Sequence, residues 1–405
     1  MKRLAVLNVV GLTKEHLGIN APNITSLAKQ SHIHSIETLL PAVTCSVQST
    51  ILTGESSKTH GIIANGWHNR KTKETAFWKQ SNDLVQGEKV WEALKKVEPT
   101  ATIANLFWWF NMYSSVDIAV TPRPVYCDDG RKIPDIWTNP SHLRSSLQQK
   151  FGQFPLFKFW GPGAGIESSR WITQAAIDID YEYEPTLSLI YLPHLDYCLQ
   201  RIGPEHHSIK KEVKAIDNEV GKLIKHFETQ NVAVCILSEY GIETANNAIA
   251  INRTLRSNGL LSIREELGKE YLDPGQSDAF AVPDHQIAHV YVKNSDLIES
   301  VAECISSMVG VDQVMIGHGR DELDHHRSGD IIAVAEQHNW FSHDWWNDDS
   351  MAPDYQRTVD IHSKPGYDPR ELHLEDGWQG SKVRIALKLL MKKIGFRTAM
   401  DVITI

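Results

Sequence analysis

The residues here that could do chemistry together are a hydroxyl, an amide, and acids and histidines at the ends of apolar runs. Thr44 lies in the stretch 41–65, PAVTCSVQSTILTGESSKTHGIIAN, which reads as a loop, a helix start and a returning turn. Pro41 biases the residue before it away from helix, residues 46–52 carry small and apolar side chains at helical spacing, and Thr53-Gly54 ends the run. A hydroxyl at a helix N-terminus faces unpaired N–H groups and the positive end of the dipole, a place suited to a phosphate. A plain N-cap threonine occupies the same position, so the chemical reading needs partners from elsewhere. Candidates are Asn65, in a turn pair with Gly66, and polar residues closing apolar runs: Asn8, Asp196 with Gln200, Glu239 with Tyr240, and His362. Oxygen and nitrogen ligands drawn from separate strand ends are how α/β folds assemble metal sites.

The elements that must position them alternate. Apolar runs at 3–10, 34–40, 102–106, 186–191, 232–237, 289–292, 331–335 and 358–362 predict strands. Helical spacing at 89–96, 208–227 and 381–394, and a helix opening near Asn23, falls between them. The pattern predicts an α/β fold, a doubly wound, mostly parallel sheet with helices on both faces. From Phe107 the character changes to FWWFNMYS and then Pro- and Gly-rich sequence, so about 107–180 reads as an aromatic-rich inserted cap, either a loop-rich minicore or a substrate lid. WFSHDWW at 340–346 is a second aromatic cluster.

Composition removes several classes. With 41% hydrophobic and 22% charged residues, the 405-residue chain suits a globular protein, and a net charge of −9 without a basic run argues against nucleic-acid binding. Five scattered cysteines without CxxC spacing indicate neither a disulfide framework nor a cysteine zinc cluster. The apolar N-terminal run is interrupted by Asn8 and reads as a first strand rather than a signal peptide. No run has transmembrane length, so a cytoplasmic protein is expected. With 19 histidines, pairs such as His285/His289, His325-His326 and His343-Asp344 are expected mainly in structural hydrogen bonds. His194, two residues before Asp196, is a candidate substrate contact.

These motifs, in this order, resemble the alkaline phosphatase superfamily, closest to its nucleotide pyrophosphatase/phosphodiesterase branch. The resemblance runs from Lys2 to about Asp368 as a single domain, 1–405. It rests on Asn8-Val9-Val10-Gly11, Pro41 with Thr44 and Thr53-Gly54, His60-Gly61-Ile62 leading to Asn65, Asp196 with Gln200, Gly203 and Pro204, Ser238-Glu239-Tyr240-Gly241-Ile242, and His362. The resemblance implies Thr44 as nucleophile and Asn65 as a phosphoryl ligand. It implies one metal at Asn8, Glu239, Tyr240 and Thr44, and another at Asp196, Gln200 and His362. Two of the three histidines and one aspartate of the family ligand set are replaced here. That leaves one or two divalent ions, zinc or a harder ion such as manganese or magnesium. Tyr240 as a phenolate would suit ferric iron; as a neutral phenol it donates a hydrogen bond. Cys45 is an alternative nucleophile if the helix N-terminus activates its thiol.

The resulting expectation is a metal-dependent phosphoric ester hydrolase acting on a small phosphorylated metabolite, with Trp108, Trp109 and the 340–346 cluster covering an apolar or prenyl substituent. The alternatives are a catalytically reduced homologue that binds an anionic metabolite, favoured by the ligand replacements, and a phosphotransferase using the same threonine.

Overall fold

Leu4–Val9 (β1) is apolar except at Asn8, the signature of a strand buried on both faces. The computed structural model describes residues 2–128, 132–357, 374, 377 and 381–393, and places β1 inside a six-stranded sheet. Its other strands are Ile103–Leu106 (β2), Ile118–Pro122 (β3), Ile136–Asn139 (β4), Leu187–Leu192 (β5) and Ala233–Leu237 (β6), in the order β6-β1-β5-β2-β3-β4. Every neighbouring pair is parallel except the edge pair β3–β4. Register sets the geography of the site. Asn8 stands opposite Tyr191 of β5 and Leu237 of β6, so the segments leaving those strands emerge side by side.

Five helices matter to that edge: Pro22–Lys29 (α1), Thr44–Thr53 (α2), Ile166–Tyr183 (α3), His194–Ile202 (α4) and Ile209–Thr229 (α5). α5 packs on α1, α3 and α4. Its buried Val213, Ile216, Val220, Leu223 and Phe227 recur every three or four residues, so one stripe of the helix faces the core.

A second sheet is antiparallel throughout: Ala279–Asp284 (β7), Ile287–Val292 (β8), Val311–Ile316 (β9) and Ile331–Ala335 (β10), in the order β7-β8-β10-β9. The runs at 289–292 and 331–335 therefore do not extend the parallel sheet. The reason is local: Asp284 pairs with Ile287, so only His285 and Gln286 connect β7 to β8, and a parallel partner needs a crossover of about a dozen residues or more.

Three further expectations are corrected. Residues 34–40 form no strand; nearly all are exposed, and without a partner strand their alternation buries nothing. The segment 107–180 is not a cap laid over the core. It contributes β3 and β4 to the central sheet, and α3, with Phe107, Trp108 and Phe154 in the main core. Trp345 and Trp346 are fully buried in the core under the second sheet. Large aromatic surfaces are stabilised most by burial, and here they fill cores. The expected strand at 358–362, with His362, lies outside the described residues.

Candidate active site

Thr44 is the first residue of α2, and the cap position before it is Val43, which makes no side-chain cap. The Thr44 hydroxyl is therefore not spent on capping. It lies 3.0 Å from Tyr240 Oη. Tyr240 in turn donates to Asp196 Oδ1 at 3.1 Å. A phenol has one hydrogen, so Tyr240 cannot donate to Asp196 and to Thr44 at once, and either hydroxyl can be the donor in the first bond.

Glu239, two residues beyond β6, lies between Asn8 and α2. Asn8 Nδ2 donates to Glu239 Oε1 at 2.5 Å, and Gln48 Nε2 donates to the same oxygen. Gln48 also accepts from the Trp109 backbone N–H at 2.6 Å. On the other side, Gln200 Nε2 donates to Asp196 Oδ1 at 2.9 Å, one helical turn away on α4. Burial pushes the Asp196 carboxyl up to about 6, against the hydrogen bonds from Gln200 and Tyr240. Burial pushes Glu239 up to about 8; the bonds from Gln48 and Asn8 oppose it, and the Asp196 charge adds to it. Burial, with the charges of Asp196 and Glu239, raises Tyr240 well above the ordinary phenol range, so it is a neutral donor here and not a phenolate.

Asn65 is held from the second sheet. Its backbone N–H and Nδ2 donate to Asp284 Oδ2 and Oδ1 at 2.7 and 3.1 Å. Its Oδ1 accepts from the Cys45 N–H at 3.0 Å. One of the two Nδ2 hydrogens thus remains, while the Cys45 N–H at the start of α2 is already engaged. Burial, with Asp284 and Glu239 nearby, raises the Cys45 thiol far above its usual range, which removes it as an activated nucleophile.

Of the residues expected at the site, Thr44, Tyr240, Asp196 and Gln200 form one hydrogen-bonded chain, Asn8 bonds Glu239, and Asn65 bonds Asp284 and the Cys45 N–H next to Thr44. His194 points elsewhere, bonding Glu212 Oε2 at 3.0 Å. Trp108 is wholly buried in the main core and has no surface to offer a ligand. Trp109 is half-buried and begins an aromatic chain that runs by ring contacts of 5.3, 5.7 and 5.2 Å through Trp78 and Trp160 to Tyr197, the neighbour of Asp196. His289 bonds Ile63 and Gly329 backbone groups, and His343 bonds Gln356, so both have structural partners. Sequence reasoning missed Gln48 and Asp284. Gln48 follows Thr44 by one helical turn, which was a usable signal.

Asn8 Oδ1 and Glu239 Oε2 are buried without a hydrogen-bond partner among the described residues. Buried polar atoms of this kind beside a second acid are satisfied either by the proton that Glu239 holds up to about pH 8 or by a cation that displaces it. The donors Asn8, Glu239, Asp196, Thr44 and Tyr240 all offer oxygen, so the set fits a hard divalent ion such as magnesium or manganese.

Comparison with known proteins gives the family and the fold. The description "Type I phosphodiesterase / nucleotide pyrophosphatase" matches residues 4–368. An uncharacterized pyrophosphatase/phosphodiesterase of Schizosaccharomyces pombe is 21% identical over 235 residues, 56% of this chain; the match spans only 42% of that protein's length. Among solved structures, murine ectonucleotide pyrophosphatase / phosphodiesterase 5, inactive and in complex with AMP, is similar with a TM-score of 0.58 at 14% identity, covering 86% of this chain and 82% of that one. Phosphonoacetate hydrolase from Sinorhizobium meliloti 1021 in complex with phosphonoacetate gives 0.63 at 13% identity, covering 85% and 83%. These likenesses establish the alkaline-phosphatase-like fold, and the match over nearly the whole chain establishes more: this chain belongs to the type I phosphodiesterase / nucleotide pyrophosphatase family.

Proposed function

We propose that this chain hydrolyses a phosphoric ester of a small molecule, with Thr44 as the nucleophile. The observation that carries the reading is the uncapped Thr44 hydroxyl at the start of α2, bonded to Tyr240 and through it to Asp196. Thr44 Oγ1 attacks phosphorus in line, forming an O–P bond as the ester oxygen leaves, and water later releases the phosphoryl group from Thr44. The positive end of α2 stabilises charge on the phosphoryl oxygens. The free Nδ2 hydrogen of Asn65, with its amide fixed by Asp284 and Cys45, donates to one of them. The half-buried Trp109 and Trp160 offer an aromatic face for an apolar or ring-bearing ester group. A divalent ion held by Asn8, Glu239 and Asp196 would supply the charge that favours the threonine alkoxide and shields phosphate from two carboxylates.

Thr44→Ala, assayed with an aryl phosphodiester in manganese, is expected to abolish turnover while manganese still binds. Turnover equal to wild type would exclude Thr44 as nucleophile.

A second reading has its own support. Asn8, Gln48, Gln200 and Tyr240 give the buried acids hydrogen bonds in place of some cationic charge, as in a homologue that binds an anionic metabolite without turning it over. No turnover in any divalent ion, together with thermal stabilisation by AMP, would favour it. All five thiols are unpaired, which supports a reducing, cytoplasmic setting. No helix among the described residues is long and apolar enough to cross a membrane.

A further inference from the structure

α4 presents two polar faces. Asp196 and Gln200, four residues apart, look onto Tyr240 and the site described above. His194 and Cys198, also four apart, are rotated about 200° from them around the helix and face α5. There His194 Nε2 lies 3.0 Å from Glu212 Oε2, and Cys198 Sγ lies 3.9 Å from the same nitrogen. The three ligand atoms all fall within 4.8 Å of one another. His194 and Cys198 are buried, while the Glu212 side chain keeps 27% of its surface and opens the group to solvent.

We propose that His194, Cys198 and Glu212 form a second metal site, of zinc type, separate from the Thr44 cluster. Tetrahedral zinc with ordinary Zn–N, Zn–S and Zn–O bonds sets its ligand atoms about 3.4 to 3.6 Å apart. The observed 3.0 and 3.9 Å bracket that spacing on the two edges at His194, and the third edge, between Cys198 and Glu212, lies within 4.8 Å and closes by rotation of the partly exposed Glu212 side chain. One imidazole nitrogen, one thiolate and one carboxylate suit a borderline ion, unlike the all-oxygen set at Asn8 and Glu239. Thiolate and carboxylate together neutralise a divalent charge. The Cys198 proton leaves to solvent on binding, and water takes the fourth position on the open Glu212 side. Such an ion ties the first turns of α4 to α5, and so fixes the helix that presents Asp196.

The test uses the full-length chain, stripped of metal by a chelator and titrated with cobalt(II). A thiolate-to-cobalt charge-transfer band in the near ultraviolet should rise to saturation and disappear when zinc is added. Cys198→Ser should abolish the band. Glu212→Gln, at a partly exposed side chain where folding is little at risk, should weaken cobalt binding at least about tenfold. The double variant Asn8→Ala, Glu239→Gln should retain the band, which separates this site from the one beside Thr44. Absence of the band in the wild type, or its persistence in Cys198→Ser, overturns the proposal, whatever reaction Thr44 carries out.

Discussion

The hydroxyl of Tyr240 stands 3.0 Å from that of Thr44. The resemblance implies a metal-binding histidine at the position of Tyr240; the phenol there donates to Asp196 instead. Tyr240→Phe removes the hydroxyl that links Thr44 to this acid. Leaving a buried carboxylate short of a hydrogen bond costs about 1–3 kcal/mol, so urea unfolding should show a lower midpoint by that measure. Tyr240→His should instead raise zinc stoichiometry, read by elemental analysis after gel filtration. An unchanged zinc content in Tyr240→His would mean that the position no longer reaches a metal.

Asn8 gives a second lever on the same cluster. Its Nδ2 donates to Glu239 at 2.5 Å, while its Oδ1 has no partner among the described residues. Asn8→Asp converts the donor into a carboxylate facing Glu239. Without an ion, and above about pH 8 where Glu239 is ionised, the variant should melt lower than wild type, because two buried like charges repel. With manganese the order should reverse, and calorimetry should show affinity at least about tenfold higher than wild type. A variant that melts as wild type and binds manganese no better would remove Asn8 from the ligand set.

The parts of the site that could be read from the sequence are those fixed by backbone alone. Asn8 and Glu239 lie at or just past the ends of adjacent strands, Asp196 lies in the first turn of the helix that follows β5, and Thr44 opens a helix. The aromatic residues show the limit. Trp108 and Trp109 are adjacent, yet one is sealed in the core and the other is half-open, because neighbouring side chains point in different directions. The run at 34–40 alternates like a strand but finds no partner, and strand formation is a property of pairs. Asp284 reaches Asn65 across 219 residues of sequence, a contact set by the packing of the antiparallel sheet against the opening loop. His194 illustrates the converse error: counting by two suits a strand, but the chain after Pro193 is helical, and that puts it on the far face from Asp196.

Gln48 tests whether Glu239 depends on its hydrogen bonds. It donates to Glu239 and accepts from the Trp109 N–H, so Gln48→Leu strands a buried acceptor and a buried donor together. The expected loss is about 2–4 kcal/mol in urea unfolding, larger than for an ordinary surface change. A loss below about 0.5 kcal/mol would show that water replaces both partners and that this end of the cluster is open.

Asp284 makes the pH prediction. Burial raises its carboxyl from 3.8 to about 7, against the two hydrogen bonds from Asn65. The folded chain therefore holds this proton more tightly than the unfolded chain does. Its contribution to stability is fully present below about pH 4 and is lost as pH rises through about 7. Asp284→Asn has no proton to lose, so the stability difference between wild type and variant should shift against the wild type across that window. The slope should be no steeper than about 1.4 kcal/mol per pH unit. Because Asp284 holds both the backbone N–H and the amide of Asn65, the same variant should lower kcat for an aryl phosphodiester by about tenfold or more, with KM changed less. Parallel stability curves for the two proteins between pH 4 and pH 8 would show that Asp284 keeps an ordinary carboxylate pKa in the folded chain.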